Sequence, residues 1–371
     1  MKSQYRQKFY ELYVKELLPV FINYEDKRKQ ELRKYISFMG LSIAVLIITA
    51  YFFLPLINPN FATPCHVALA QNSFLPVLVI LLLIASIVAI CMLPGYFSKK
   101  FKQDIKEICK PTFAKCFNNL RWKDSEDFDS EIYRRSGLFS SFNREEYDDI
   151  FTITHDGVKI KVIETHLEDE HGSGKNRRII NVFKGVVIIF PSNKRVKAQT
   201  IVTTKGDKNI RNSITGITAS VITSSLLLIG FIFVRDFFNI FIYGAVLLIF
   251  AFSYINQKRN NKMRDVKLED VEFDKRFQVA SEDQLEARYL ITPAFMDRLK
   301  GLQTGFGTEK IKCSFFNDKI MFAISTKEDL FEVGNLFVPL NDSKQMTKFF
   351  NELTSILEMV DYFKLDQKIG L

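Results

Sequence analysis

Apolar residues in this chain follow two patterns, long uninterrupted runs and short alternating stretches. Four of the runs contain no charged side chain, and they lie at Tyr35–Ile57, Phe74–Phe97, Ile214–Val234 and Phe237–Ile255. A helix needs about 20 apolar residues to cross the hydrocarbon core of a bilayer. We therefore predict four transmembrane helices, arranged as two hairpins.

The alternating stretches predict strands. Apolar and polar residues alternate on both sides of His155-Asp156-Gly157 and again on both sides of Asn317-Asp318. Alternation around a turn sequence is typical of a β-hairpin. Val186–Phe190 is apolar throughout, as expected of a strand buried on both faces. Lys267–Val279 is predicted to be extended.

Residues spaced by three or four predict the cytoplasmic helices. Near the N-terminus the apolar stripe consists of Phe9, Tyr13, Leu17 and Phe21. We expect this stripe to pack on the cytoplasmic domain, with an interruption or kink at Pro19, and residues 24–35 to continue into the first span. Three further helices are predicted: 98–120 with a break at Pro111, one starting at Thr292-Pro293 with the stripe Met296, Leu299 and Leu302, and Ser343–Phe363.

Together these patterns predict an α+β cytoplasmic domain with four transmembrane helices arranged as two hairpins. Five segments follow in order: an N-terminal cytoplasmic helical segment 1–36, a membrane hairpin 37–96, a cytoplasmic β-rich segment 97–213, a second membrane hairpin 214–256 and a cytoplasmic α+β segment 257–371. We expect 257–371 to pack with 97–213, because both contain strands with unpaired edges.

Basic residues predict the orientation of the spans. Of the 51 Lys and Arg residues, all but Arg235 lie in segments 1–36, 97–213 and 257–371. Lys and Arg near a span resist translocation, so both termini and the middle segment are expected to face the cytoplasm. The net charge of +9 is concentrated beside the predicted spans, which favours contact with anionic lipid head groups and argues against nucleic acid as a partner.

Residues that could carry chemistry are few. The five cysteines contain no Cys-x-x-Cys pair and are interpreted as unpaired thiols. His166 and His171 flank three acidic residues, but their spacing is not that of a helical zinc site. We interpret them as part of a solvated loop between two strands. We predict no catalytic residue, metal or cofactor.

Small residues in the third span predict close helix packing. Gly216, Ser220 and Ser224 recur at intervals of four, and small residues at that interval let two helices approach closely. The alternative is a transporter or channel component, in which polar residues such as Thr218 and Asn239 line a path in an oligomer.

One segment carries a resemblance. Residues 277–293 read F-x-V-x-S-x-D-x-x-E-A-R-Y-x-x-T-P, preceded by Leu268-Glu269-Asp270 with Phe273 and, further upstream, by Val182-Phe183-Lys184-Gly185. The chain thereby resembles an uncharacterised bacterial membrane-protein family with a domain of unknown function. The resemblance extends over most of the chain and implies no activity.

Within this signature, Asp283, Glu286, Arg288 and Tyr289 are the candidate residues, functional or structural. We expect Asp283 to cap a helical turn that contains Glu286 and Arg288, with Tyr289 packed beneath it. The predicted function is a multi-pass protein of the bacterial inner membrane that anchors a cytoplasmic binding, scaffold or regulatory module. Its partner is expected to be a protein, a lipid or a second copy. A membrane-bound enzyme is the remaining alternative.

Overall fold

The computed structural model describes residues 2–57, 63–64, 66, 74–117, 120–123, 128–155, 157–192, 194–206, 263–305, 310–326 and 330–364. The chain forms two compact units. The helical unit contains residues 1–117 and 330–354, and the sheet unit contains residues 118–329 and 355–371. The predicted third and fourth spans, with Gly216, Ser220 and Ser224, lie outside the described residues.

The described helices are α1 Lys2–Leu12, α2 Leu18–Ile57, α3 Leu75–Cys116, α4 Glu131–Ser136, α5 Val271–Arg276, α6 Gln284–Leu290, α7 Pro293–Gly305 and α8 Lys344–Lys364. The strands are β1 Arg121–Lys123, β2 Arg144–His155, β3 Val158–His171, β4 Arg178–Pro191, β5 Thr200–Thr204, β6 Arg264–Asp265, β7 Phe277–Ser281, β8 Ile311–Phe316 and β9 Lys319–Ser325. This composition confirms the predicted α+β class.

The apolar stripe of the first helices lies inside the helical unit. Phe9, Tyr13, Leu17 and Phe21 are all buried. On a regular α-helix, residues four positions apart differ by about 40° beyond a full turn, so such a stripe drifts around the helix. Residues 13–17 form a wider π-helical turn, in which Leu18 N–H donates to the Tyr13 carbonyl. That turn offsets part of the drift and ends two residues before Pro19, where an interruption or kink was predicted.

The second long helix does not break at Pro111, so that prediction was wrong. α3 continues to Cys116 with Pro94 and Pro111 inside it. Ile105, Cys109 and Phe113 are fully buried at intervals of four. A proline inside a helix costs about 3 kcal/mol or more, and burial of this stripe on both sides of Pro111 offsets that cost. Burial also raises the pKa of the Cys109 thiol, which keeps it protonated.

Two helices have the length and composition of membrane spans. They cover Tyr5–Phe53 and Pro76–Cys116. Only 6% of the most apolar window of the first, and 11% of that of the second, is buried within the protein. These windows correspond to the first two predicted spans, and many of their large apolar side chains are exposed.

Within the described residues the strands form one antiparallel sheet in the order β1-β2-β3-β4-β9-β8-β5-β7-β6. β5 lies between β8 and β7, and β4 pairs with β9. One strand from 97–213, β5, therefore lies among the strands from 257–371. The two predicted hairpins are confirmed at β2–β3 and β8–β9, where Gly157, Asn317 and Asp318 have positive φ.

Two strands approach closely at Gly185, the last residue of the Val182–Gly185 motif. Gly185 has φ +155° and pairs with Ser325 of β9. A Cβ at this position would collide with the Ile324 carbonyl oxygen and lie 2.9 Å from the Ser325 Cα. Only glycine allows the two backbones to pair at this distance.

The predicted extended stretch Lys267–Val279 was partly wrong, because its middle is helix α5. The Asp270 carboxylate accepts hydrogen bonds from the N–H groups of Glu272 and Phe273, which is the geometry of an N-cap. The Lys300 ammonium, 2.9 Å from the Asp270 carboxylate, lowers the pKa of that carboxyl. Fully buried Phe273 then stacks on Phe277 at the start of β7.

Candidate functional site

The signature segment begins in β7 and ends at the first residue of α7. Ser281 is fully buried at the end of β7. Its hydroxyl lies 2.8 Å from the Thr200 hydroxyl of β5 and accepts a hydrogen bond from the Asp283 N–H. The serine therefore joins a neighbouring strand to the turn that precedes α6.

Asp283 caps helix α6. Its carboxylate accepts hydrogen bonds from the N–H groups of Leu285, at 2.8 Å, and Glu286, at 3.4 Å. The next helix is capped in a similar way, since the Thr292 hydroxyl accepts from the Phe295 N–H and Pro293 occupies the first helical position. A cap of this kind stabilises a helix by about 1 kcal/mol.

Carboxylates in and around the signature hold the segment that leads from β4 to β5. Glu286 accepts a hydrogen bond from the Lys197 N–H at 2.6 Å, and Glu282 accepts from the Gln199 N–H at 3.2 Å. Asp318, in the β8–β9 turn, accepts from the Val196 N–H at 2.8 Å. These acidic groups bind backbone amides, which is a positioning role.

Arg288 lies in the helix that Asp283 caps, as predicted, whereas Tyr289 is not packed where it was expected. The Arg288 guanidinium donates a hydrogen bond to the Lys267 carbonyl oxygen at 3.4 Å. Tyr289 is 53% exposed and so does not pack beneath the turn. The Lys194 ammonium lies 4.2 Å from the centre of the Tyr289 ring and donates to the Tyr289 carbonyl. Leu285, one helical turn earlier, is 81% exposed, so α6 presents an apolar face to solvent.

The two histidines of the acidic cluster lie on a strand, so the predicted loop was wrong. β3 continues through His171, and β2 and β4 pair with it on both sides. The His171 ring lies 2.9 Å from Asp169, and Arg177 forms an ion pair with Glu170 that lowers the pKa of that carboxyl. Arg144 of β2 lies opposite Glu168 of β3, with 3.4 Å between their charged atoms. Cross-strand pairs of this kind stabilise exposed strands, which explains a strand this rich in charge.

An acidic group that the sequence analysis missed lies near a β-bulge. The register of β2 shifts between Tyr147 and Ile150. Oxygen atoms of Asp148, Asp149 and Glu164 lie within 4.8 Å of one another there. The indole N–H of Trp122 donates to Asp149 at 2.7 Å. Carboxylate oxygens suit Mg²⁺ or Ca²⁺, but one oxygen is already engaged and we assign no cation to the group. An adjacent Asp pair at the start of an alternating strand was the available sequence signal.

The arrangement of the described residues thus defines an antiparallel α+β module whose signature is similar to an uncharacterised domain of unknown function. The family model that matches is Protein of unknown function (DUF3137), and the match covers residues 181–365. This region runs from β4 to the C-terminal end of α8 and contains the whole signature, but it does not include the first two apolar helices. The match is therefore shorter than the resemblance predicted from the sequence. No curated protein and no solved structure matches the chain.

Proposed function

We propose that this protein is a multi-pass protein of the bacterial inner membrane that anchors a cytoplasmic binding, scaffold or regulatory module. The observation that carries the proposal is the exposed apolar surface of α2 and α3. Along these helices Ile47 is 65% exposed, Leu81 58% and Met92 67%. Burying apolar surface contributes about 25 cal/mol per Å², so a surface of this extent needs an apolar environment, which a bilayer supplies.

The orientation follows from the basic residues at the ends of these helices. Lys and Arg cluster in residues 27–34 before the first span and in residues 99–110 after the second. Both clusters lie on the same side of the hairpin, which by the positive-inside rule is the cytoplasm. The second predicted hairpin, 214–256, returns the chain to that side, so both termini are cytoplasmic.

A binding role suits the sheet unit better than catalysis. The signature carboxylates Asp283 and Glu286 bind backbone amides. The exposed part of the signature is apolar, with Leu285 and Tyr289 on one face of α6, and exposed aromatic and aliphatic side chains are typical of contact surfaces.

Cysteine accessibility in intact cells tests the topology. Asn72→Cys and Phe238→Cys should react with a membrane-impermeant maleimide from outside. Ser140→Cys and Leu285→Cys, both at exposed positions of the sheet unit, should react only after permeabilisation. The unmodified chain provides the background of the native cysteines. External labelling of Leu285→Cys in intact cells would contradict the proposal.

A further inference from the structure

A loop of the helical unit presents an aromatic side chain to solvent between two buried leucines. Leu336 is fully buried and Leu340 is 4% exposed, whereas Phe337 between them is 48% exposed. The Asn335 side-chain oxygen accepts a hydrogen bond from the Phe337 N–H, and the Val338 N–H donates to the Asn335 carbonyl. The loop is a hydrogen-bonded turn with Phe337 near its apex.

Two charged residues of α2 hold this loop at both ends. Arg28 donates from its guanidinium to the Leu336 carbonyl at 2.6 Å, and Glu25 accepts from the Leu340 N–H at 3.0 Å. Arg28 and Glu25 also form a bidentate ion pair, with hydrogen bonds of 2.9 and 2.7 Å. Both side chains are largely buried, with exposures of 7% and 13%. Buried charges are tolerated only when they are paired and hydrogen-bonded. We call Arg28 and Glu25, with their two bonds to the loop backbone, the clamp, and it fixes the position of Phe337.

The clamp places Phe337 beside the aromatic residues at the cytoplasmic ends of the two spans. The Phe337 ring is 5.3 Å from the ring of Tyr35, which is 5.9 Å from the ring of Phe97. Tyr35 begins the first apolar run and Phe97 ends the second. The nearby Phe38 and Tyr96 are 51% and 65% exposed. Aromatic residues at this level of a transmembrane helix form the belt that lies among lipid head groups.

Exposed cations lie next to this belt on its cytoplasmic side. Arg33 precedes Tyr35 by two residues, and Lys99 and Lys100 follow Phe97 by two and three. All three are exposed. At about 1.5 Å per residue they lie about 3–5 Å beyond the rings along the helix axes. Anionic phosphates of a lipid surface occupy that level, and each nearby cation contributes about 1 kcal/mol to the attraction.

We propose that the loop 334–340 is a third membrane-contacting element, which inserts Phe337 among the head groups of a bilayer containing anionic phospholipid. The inference rests on the proposed membrane anchoring of α2 and α3 and deepens it. The Phe337 side chain adjoins the aromatic residues at the ends of the two spans, and the neighbouring cations of α2 and α3 match the charge of anionic lipid. The loop lies within the region that matches the family model, whereas the two spans lie outside it.

Tryptophan fluorescence in vesicles tests the insertion. The full chain is reconstituted as Phe337→Trp, Leu81→Trp or Leu285→Trp in phosphatidylcholine with a minority of phosphatidylglycerol, with and without bromine on the acyl chains. The unmodified chain supplies the background of Trp122, which is 6% exposed in the sheet unit. We expect brominated lipid to reduce the added emission of Phe337→Trp about twofold, as for an interfacial indole. Brominated lipid should reduce the added emission of Leu81→Trp more strongly and leave the added emission of Leu285→Trp unchanged.

The three variants separate the possible failures. Strong quenching of Leu81→Trp without quenching of Phe337→Trp would overturn the loop insertion and leave the anchoring intact. Absence of quenching in Leu81→Trp would overturn both. The head-group contact is tested by combining Phe337→Trp with Arg33→Gln, Lys99→Gln and Lys100→Gln. Quenching should be stronger in anionic than in neutral vesicles, and the three Gln substitutions should abolish that difference; equal quenching in both vesicles before substitution would overturn the anionic preference.

Discussion

Apolar runs in the two units are covered in different ways. Val186–Phe190 of β4 is a run of five apolar residues, and all five are buried by neighbours in the sheet unit. The apolar runs of α2 and α3 exceed 20 residues, and only 6% and 11% of their most apolar windows are buried. A short run can be enclosed by one layer of protein on each face, whereas the described residues leave much of these long runs exposed.

The largest effect is expected when the strands that cover the apolar run of β4 are removed. Segments 97–213 and 257–371 both contribute strands to one sheet, with β5 of the first between strands of the second, and we predict that they fold as a single cooperative unit. Either segment expressed alone should aggregate or remain largely unfolded, because β4 and β5 lose the partners that cover their edges and faces. Joining the segments by a Gly/Ser linker in place of 214–256 should restore a folded protein.

Denaturant unfolding followed by circular dichroism distinguishes these outcomes. Two well-folded fragments with independent unfolding transitions would show that the segments are separate domains.

Shortening one side chain in each apolar run compares the stability that a buried and an exposed position contribute. Ile188 of β4 is fully buried and Leu81 of α3 is 58% exposed. Ile188→Ala should lower the free energy of unfolding in detergent by about 2–5 kcal/mol, because it leaves a cavity. Leu81→Ala should change it by less than about 0.5 kcal/mol, because an exposed site has no cavity to form. Equal losses would mean that the protein itself covers the α3 run.

A substitution at Gly185 tests the close approach between β4 and β9. Gly185→Ala should destabilise the sheet unit by about 1–3 kcal/mol, because the added Cβ meets the Ile324 carbonyl and the backbone has positive φ. Gly301→Ala, in helix α7 with nothing within 4 Å of its Cβ, is the matched control. Its effect should be neutral or stabilising, by up to about 1 kcal/mol. Thermal unfolding of both variants measures the difference.

The loop clamp of the helical unit should give a smaller, pH-dependent effect. The Arg28 guanidinium, hydrogen-bonded to Glu25, lowers the pKa of that carboxyl below its ordinary value. A carboxyl whose pKa is lower when folded stabilises the protein above the unfolded pKa, and this stabilisation is lost as the pH falls through the folded pKa. Unfolding of the chain between neutral and acidic pH should show that loss. Glu25→Gln should be less stable at neutral pH and should lack this part of the pH dependence; an unchanged pH profile would contradict the role of the clamp.

Local patterns were sufficient for most elements. Alternation around Asp156-Gly157 and Asn317-Asp318 predicted both hairpins, and the Thr292-Pro293 pair predicted the start of α7, because turn and cap chemistry depends on adjacent residues. Failures occurred where packing outweighed a local preference. Pro111 remains inside α3 because burial of the apolar stripe around it outweighs the cost of a proline within a helix. The segment His166–His171 remains in β3 because strands on both sides pair with it.

The candidate sites show the same division. The capping role of Asp283 was predicted from its position directly before a helical turn. The partners of Glu286 and Arg288 are backbone groups 89 and 21 residues away along the chain. Asp148, Asp149 and Glu164 meet only because the shifted register near a bulge brings β2 against β3 at that point.

The sequence alone determined the apolar runs, the caps of α6 and α7 and the hairpin turns, because each depends on residues close together in the chain. Tertiary structure decided the interleaved strand order, the need for glycine at position 185 and the clamp of Arg28 and Glu25 on a loop more than 300 residues away. These features depend on which distant segments meet, and pairing between distant segments is set by the packing of the whole unit rather than by the residues of either segment.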